Sequence, residues 1–197
     1  MKLTKLLERL DYKVVAGSDN IEITELVNDS RKVVPDSAFV CISGAVSDGH
    51  QYVKDVAEKG AAAVIVEKDV EVPEGLTVIK VENTRYALAL MSAAYFGYPA
   101  EKLKTIGITG TKGKTTTTYM VKAILEEVGH KVGLIGTIEA IIGDKTIPSN
   151  NTTPESYTIQ KYFAQMVEAG CDCVVMEVSS QGLMLHRTAG IMFDIGI

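Results

Sequence analysis

The chain has 197 residues, enough for one or two domains. Hydrophobic residues make up 46%, enough for a packed core, and charged residues 23%, ordinary for a soluble protein. A net charge of −5 argues against nucleic acid as a main partner, because a phosphate backbone demands clustered Lys and Arg, yet it leaves room for nucleotides, which backbone N–H groups and one or two Lys can hold.

The opening MKLTKLLERL sets Leu3, Leu6, Leu7 and Leu10 at helical spacing and predicts a short helix. Its charges recur too often for a signal peptide, and no later stretch approaches a membrane span, so a cytoplasmic protein without a membrane partner is expected. IEITELV and SAFVCIS read as strands, and HQYVKDVAEKG as a helix stopped by Gly60. AAAVIVE and LTVIKV are further strands. NTRYALALMSAAYFG is helical, with Asn83 or Thr84 as N-cap. By themselves NDSRKVVPDSAFVCISG (28–44) and SDGH (47–50) read as turns. This order predicts a small α/β domain.

FGYPAEKLK (96–104) interrupts the pattern at Gly97 and Pro99 and sets the expected boundary between domains 1–98 and 99–197. LKTIGIT is then a strand, KTTTTYMVKAILEEVG a helix ended by Gly129, and KVGLIGTI a strand. IIGDKTIPSNN carries a Gly-Asp turn signal and reads as a hairpin or an extended loop. In TTPESYTIQKYFAQMVEAG, Thr153 and Pro154 are expected as N-cap and first helical residue, with Ile159, Phe163, Met166 and Val167 on one apolar face. CVVMEVSS and FDIGI are strands. Near-continuous apolar strands between helices predict a parallel sheet covered on both faces. The chain stops at Ile197 inside a predicted strand, so a fragment is expected. The expected fold class is therefore α/β: a small N-terminal α/β domain, then a truncated P-loop doubly wound parallel-sheet domain.

Of the three Cys, Cys41 lies in an apolar run and Cys171 and Cys173 flank Asp172. His50, His130 and His186 are dispersed, and no His or Cys stands at ligand spacing, so reduced structural thiols are expected rather than a metal site.

The most informative stretch is ITGTKGKTTTTYM, 108–120. The usual phosphate-loop pattern is Gly, four residues, then Gly-Lys-Ser/Thr. Here Gly107 stands one residue too far from Gly113, and Gly110 too close. The physical requirements are still met: a strand enters a Gly-rich loop that opens a helix. The N–H groups from Gly110 to Thr115 would face one concavity at the positive end of the helix dipole. Lys114 would reach the β- and γ-phosphates, and the hydroxyl of Thr115 or Thr116 would ligate Mg²⁺. Four successive threonines are poor helix formers, which packing alone explains badly. Glu177, in MEVSS at the end of a later strand, would emerge near this loop as an acidic Mg²⁺ ligand or as a buried Glu paired with a Lys. NNTTPES (150–156) is a loop with a helix cap, or a second polar ligand site.

Together GITGTKGKTTT, NTTPES and MEVSSQGLMLHR, preceded by DSRKVVPDSAFV and SDGH, resemble the Mur ligases along the whole chain. The loop alone is shared with folylpolyglutamate synthases. The DSR segment with DGH narrows the resemblance to the MurE type, which adds a diamino acid to UDP-MurNAc-L-Ala-D-Glu. The resemblance implies an ATP-dependent acid–amino-acid ligase of peptidoglycan synthesis: ATP phosphorylates the D-Glu carboxylate, and the amine attacks the acyl phosphate. It places ATP at Gly110, Thr111, Lys112, Gly113, Lys114, Thr115 and Thr116, with Lys114 and Glu177 catalytic. It puts Mg²⁺ on Thr115 and Glu177, and the UDP-linked substrate on Ser30, Asn151, Thr152, Thr153, Ser179 and Arg187. Arg187 suits a bidentate oxyanion contact. A monomer is expected. Gln181 stands where many members have His, and Lys112 where Asn is common, a combination similar to members that add L-lysine; meso-diaminopimelate is the other amino acid allowed. The family's carboxylated Lys, a downstream His and the domain reading the amino acid fall beyond Ile197, so this chain alone is expected to be inactive. Two other readings stay open, a folylpolyglutamate-type ligase and a non-catalytic nucleotide-binding module.

Overall fold

The apolar runs of the sequence assemble into two compact units, Met1–Tyr95 and Phe96–Ile197, in a computed structural model that describes residues 1–44 and 47–197. The first unit contains α1 (Leu3–Leu6), β1 (Lys13–Ala16), β2 (Leu26–Val27), β3 (Ala38–Val40), α2 (Val53–Glu58), β4 (Ala63–Val66), β5 (Thr77–Lys80) and α3 (Thr84–Tyr95). Its sheet runs β1-β5-β4-β3-β2, parallel except for β1. Every residue of β3 and β4 is buried, which is why both read as continuous apolar runs. Asn83 is the cap of α3, its Oδ1 accepting from Tyr86 N at 2.9 Å.

Two expectations change here. The opening helix is a single turn, with Leu3, Leu6 and Leu7 buried and α1 packed on α3. The strand expected over IEITELV shrinks to Leu26–Val27, since Ile21 O accepts from Leu3 N and Ile23 N donates to Met1 O. No expectation covered β1: KVVA is apolar apart from Lys13, yet Lys13, Val14 and Val15 are exposed, and the segment is a strand through its antiparallel pairing with β5.

SDGH is more than a turn. Asp48 caps the short 3₁₀ turn Gly49–Tyr52, accepting from His50 N at 3.1 Å, and its Oδ1 lies 2.6 Å from His50 Nδ1. Glu67 N donates to His50 Nε2 at 3.1 Å, so that nitrogen is the acceptor and Nδ1 donates to Asp48. Lys68 Nζ closes the knot on Asp48 Oδ2 at 2.6 Å.

The second unit contains β6 (Lys104–Ile108), α4 (Lys114–Glu127), β7 (Val132–Ile135), β8 (Glu139–Ile142), β9 (Lys145–Pro148), α5 (Ser156–Glu168), β10 (Cys173–Glu177), α6 (Ser180–Met184) and β11 (Ile195–Gly196). The sheet order is β11-β6-β10-β7-β8-β9. The strands β11, β6, β10 and β7 are parallel, and β8 and β9 form an antiparallel hairpin. Ile106, Ile108, Val132 and Val175 pack with Val121 and Leu125 of α4. Ile135, Val174 and Met176 pack on the other face with Ile159, Phe163 and Met166 of α5. Successive strand residues thus feed two apolar layers, and the sheet is doubly wound. Among the described residues no helix is long and apolar enough to cross a membrane.

The start of α5 differs from expectation. Its N-cap is Glu155 and the helix begins at Ser156, beyond Thr153 and Pro154. The Thr153 hydroxyl is engaged elsewhere, donating to Glu177 O at 3.0 Å and accepting from Ser179 N at 2.9 Å. A cap at Thr153 would have to break that tie between the loop and β10.

Candidate nucleotide and cation site

The parallel pairing of β6 and β10 sets Glu177 opposite Ile108, so the Gly-rich loop and the carboxylate leave the sheet at the same end. The loop bends at Gly110 (φ 135°) and Gly113 (φ 82°), in a backbone region that L side chains rarely adopt. Those two bends turn the chain directly into α4, whose N-cap is Gly113. Among the described residues, no N–H from Gly110 through Thr116 donates to a protein acceptor; the first such bond is Thr117 N to Gly113 O, 2.9 Å. A helix N-terminus with unused donors carries partial positive charge, the local field an anion needs. Lys114 adds a full charge, its Nζ lying 2.8 Å from Gly110 O above the loop. Gly110, Thr111, Lys112 and Gly113 are exposed, and Lys114 and Thr115 half-buried. Thr118 Oγ1 donates back to Lys114 O at 2.7 Å, which gives one of the four threonines a packing role.

Glu177 is only 1% exposed. Its Oε2 accepts from Thr115 Oγ1 at 3.0 Å, which joins it to the loop. Thr137 N donates to Oε1 at 2.8 Å and Thr137 Oγ1 to Oε2 at 3.0 Å. A buried Glu paired with a Lys is therefore not what forms: among the described residues Glu177 meets hydroxyls and an amide but no cationic side chain. A buried carboxylate without a cation beside it is costly, and two hard oxygen donors, Glu177 and Thr115, suit Mg²⁺. Nearby, Tyr119 donates to Glu139 Oε1 at 2.7 Å; burial, then the Glu139 contact, pushes its hydroxyl pKa up to about 12.

The residues expected to hold the second substrate fall in two places. Ser30 belongs to the first unit, on the 3₁₀ turn Ser30–Lys32 capped by Asp29. Asp29 also binds the Arg31 side chain, which holds its carboxyl at about 2, well below the usual range. Of the others, Thr152, Thr153, Ser179 and Arg187 gather beside Glu177. Thr152 Oγ1 lies 3.0 Å from Thr137 Oγ1, and Thr153 ties Glu177 to Ser179. Ser179 Oγ caps α6 by accepting from Gly182 N at 3.0 Å. Arg187 Nη1 donates to Thr153 O at 2.9 Å and Nη2 pairs with Glu155, while its buried Nε has no partner. Asn151 is exposed and lines a cavity of about 150 Å³ with Ser149, Glu155, Thr158 and Tyr162. Gln181 is exposed.

Two residues went unread in the sequence. Gly136 and Thr137, in LIGTIE, form the wall against Glu177: a Cβ on Gly136 would stand 2.6 Å from Glu177 Oε1. The only sequence signal is a Gly-Thr pair at a strand end, where ligands gather.

The structure also joins His130, Asp172 and Cys173, whose ligand atoms lie within 4.8 Å of one another although their spacing suggested no grouping. Asp172 Oδ2 meets His130 Nδ1 at 2.6 Å and Oδ1 accepts from Lys131 N at 2.9 Å. The carboxylate thereby pins the start of β10 to the start of β7. Burial first, then Asp172, raises the Cys173 thiol pKa. Cys171 and Cys173 pack in different core layers and are free thiols.

Residues 22–96 match the Mur ligase family, catalytic domain, and residues 108–197 the Mur ligase middle domain. The chain is 49% identical over 197 residues to a UDP-N-acetylmuramoyl-L-alanyl-D-glutamate--2,6-diaminopimelate ligase of Clostridium perfringens (strain 13 / Type A), a match spanning 100% of this chain and 41% of that protein. Identity to the protein of that name from Bacillus licheniformis is 47% over 196 residues, spanning 99% and 40%. A solved structure of a UDP-N-acetylmuramoyl-L-alanyl-D-glutamate--2,6-diaminopimelate ligase is similar with a TM-score of 0.82 at 20% identity, covering 100% of this chain and 39% of that one. MurF ligase from Thermotoga maritima, in complex with ADP, is similar with a TM-score of 0.54 at 22% identity, covering 86% and 36%. At these identities the solved structures speak for the fold alone. The chain spans about two fifths of the length of the curated relatives it matches. Two successive domains of one family, matched in order and carrying the loop and the buried carboxylate, make this chain a member of the Mur ligase family.

Proposed function

We propose that the chain provides the nucleotide site and the UDP-substrate unit of an ATP-dependent ligase that joins a diamino acid to UDP-MurNAc-L-Ala-D-Glu in the cytoplasm. The observation that carries this is the contact of the Gly-rich loop with Glu177 through Thr115 Oγ1, at 3.0 Å, beneath unused N–H donors and Lys114. The names of the curated relatives favour diaminopimelate over the lysine suggested by Lys112 and Gln181.

In the proposed reaction the γ-phosphoryl group leaves ADP as its phosphorus bonds to a D-Glu carboxylate oxygen. The amine then attacks the acyl carbon, phosphate departs, and an amide remains. Two anions must meet in the first step, so the site has to supply positive charge. The N–H groups of Gly110 to Thr116 and the Lys114 ammonium would hold the β- and γ-phosphates. Thr115 and Glu177 would hold Mg²⁺, which supplies charge neutralisation between phosphate and carboxylate when bound. Ser30 would anchor the UDP end, and Asn151, Thr152, Thr153, Ser179 and Arg187 would orient the muramoyl-dipeptide.

The test is calorimetric titration of the chain with ADP and ATP in Mg²⁺. Lys114→Ala removes a charge-assisted contact and should weaken binding about 10- to 150-fold. Unchanged affinity, or no binding by the parent chain, would rule the reading out.

A further inference from the structure

We propose that Thr137 is a positioning residue for the cation site, a clamp that sets the orientation of the Glu177 carboxylate and is itself braced by Thr152. The inference rests on the reading of Glu177 as a Mg²⁺ ligand. The last torsion of a Glu side chain is broad, with no staggered well to fix the plane of the carboxylate. Something outside the side chain must fix it before both oxygens can face a defined direction. Thr137 reaches both oxygens at once: its N–H donates to Oε1 at 2.8 Å and its hydroxyl to Oε2 at 3.0 Å. Thr115 reaches only Oε2.

An ionised carboxylate only accepts, so toward Glu177 the Thr137 hydroxyl is the donor. The same hydroxyl is oriented to donate to Thr152 Oγ1 at 3.0 Å, so its one proton is divided between two acceptors, and the Thr137 N–H to Oε1 is the undivided half of the clamp. The Thr137 hydroxyl thus links the NTTPES loop to the cation site. A residue from a third segment, at the end of β7, thereby joins the loop after β6, the end of β10 and the substrate loop. Thr115 can bind a cation through its oxygen lone pair while Thr137 keeps the carboxylate in place. Thr137 need not touch the ion to do this.

The experiment compares ADP affinity with and without Mg²⁺ for the parent chain, Glu177→Gln, Thr137→Val and Thr137→Ser. The ratio of the two affinities reads the cation site, and a loss of folding alone does not change it selectively. Thr137→Val keeps the shape and removes the hydroxyl; it should cut the ratio about tenfold or more, the worth of a hydrogen bond to a charged group. Thr137→Ser keeps the hydroxyl and should restore the ratio to within about threefold of the parent. If Glu177→Gln lowers the ratio and Thr137→Val does not, the clamp is refuted while the cation site stands. Equal losses in the Val and Ser variants would also refute it, because the methyl and not the hydroxyl would then matter. No Mg²⁺ effect in the parent, or none lost in Glu177→Gln, would overturn the cation reading and the clamp with it.

Discussion

Gly136→Ala is the sharpest test of how tightly Glu177 is held. The backbone of Gly136 needs no glycine conformation, so the effect of the added methyl is purely steric. Its Cβ would stand 2.6 Å from Glu177 Oε1 and 3.5 Å from Leu134 Cδ2. An ordinary C···O contact is about 3.3 Å or longer, so the carboxylate must retreat by roughly 0.7 Å. Oε1 now accepts from Thr137 N at 2.8 Å, and a retreat of that size carries the bond out of normal range. Loss of one hydrogen bond to a charged group costs about 1.5–3 kcal/mol. If Glu177 ligates the cation, that converts to a 10- to 150-fold rise in the Mg²⁺ concentration needed to enhance ADP binding. Calorimetric titration of ADP across a Mg²⁺ series reads this directly, and a melting curve without ligand shows the accompanying loss of stability. A variant with the parent's Mg²⁺ requirement and melting point would show that the carboxylate has slack, and the argument from close packing would fail.

Asp48 carries a pH prediction. Lys68 first, then His50, holds its carboxyl well below the usual carboxylate range. A depressed folded pKa stabilises fully above the unfolded value of about 3.9 and is lost as pH falls through the folded one. Urea midpoints of the parent should therefore fall in acid below about pH 4, and Asp48→Asn should flatten that part of the curve; parallel curves would refute the knot around SDGH. Phe163 is fully buried between α5 and the sheet, so Phe163→Ala should cost about 3–5 kcal/mol by denaturant titration. A cost below about 1 kcal/mol would mean that this layer collapses into the gap.

What the sequence by itself determines here is whatever depends on neighbours along the chain. Buried strands such as AAAVIVE and CVVMEVSS are legible because both their faces meet apolar layers, so no alternation with polar residues interrupts them. The two α/β units in parallel-dominated sheets follow from those runs and the helices between them. The Gly-rich loop is legible despite its odd spacing, because strand, loop and helix N-terminus are adjacent in the chain. Even the cap of α3 is local, Asn83 reaching only to Tyr86. Tertiary structure alone decides the rest. The strand β1 is short and exposed at Lys13, Val14 and Val15, and it exists through its pairing with β5. The start of α5 follows from the bond of Thr153 to the backbone of Glu177 rather than from the preference of Thr-Pro for a helix start. His130 and Asp172 are neighbours only because β7 and β10 pair. Thr115, Thr137 and Thr152 lie on three separate segments, and they become one site because parallel β6, β10 and β7 end together around Glu177. Helix and strand propensity act over a few residues, whereas a hydrogen bond to a buried carboxylate is worth its full strength whatever the separation in the chain; that is why the loop is visible in the sequence and its partners Gly136 and Thr137 are not.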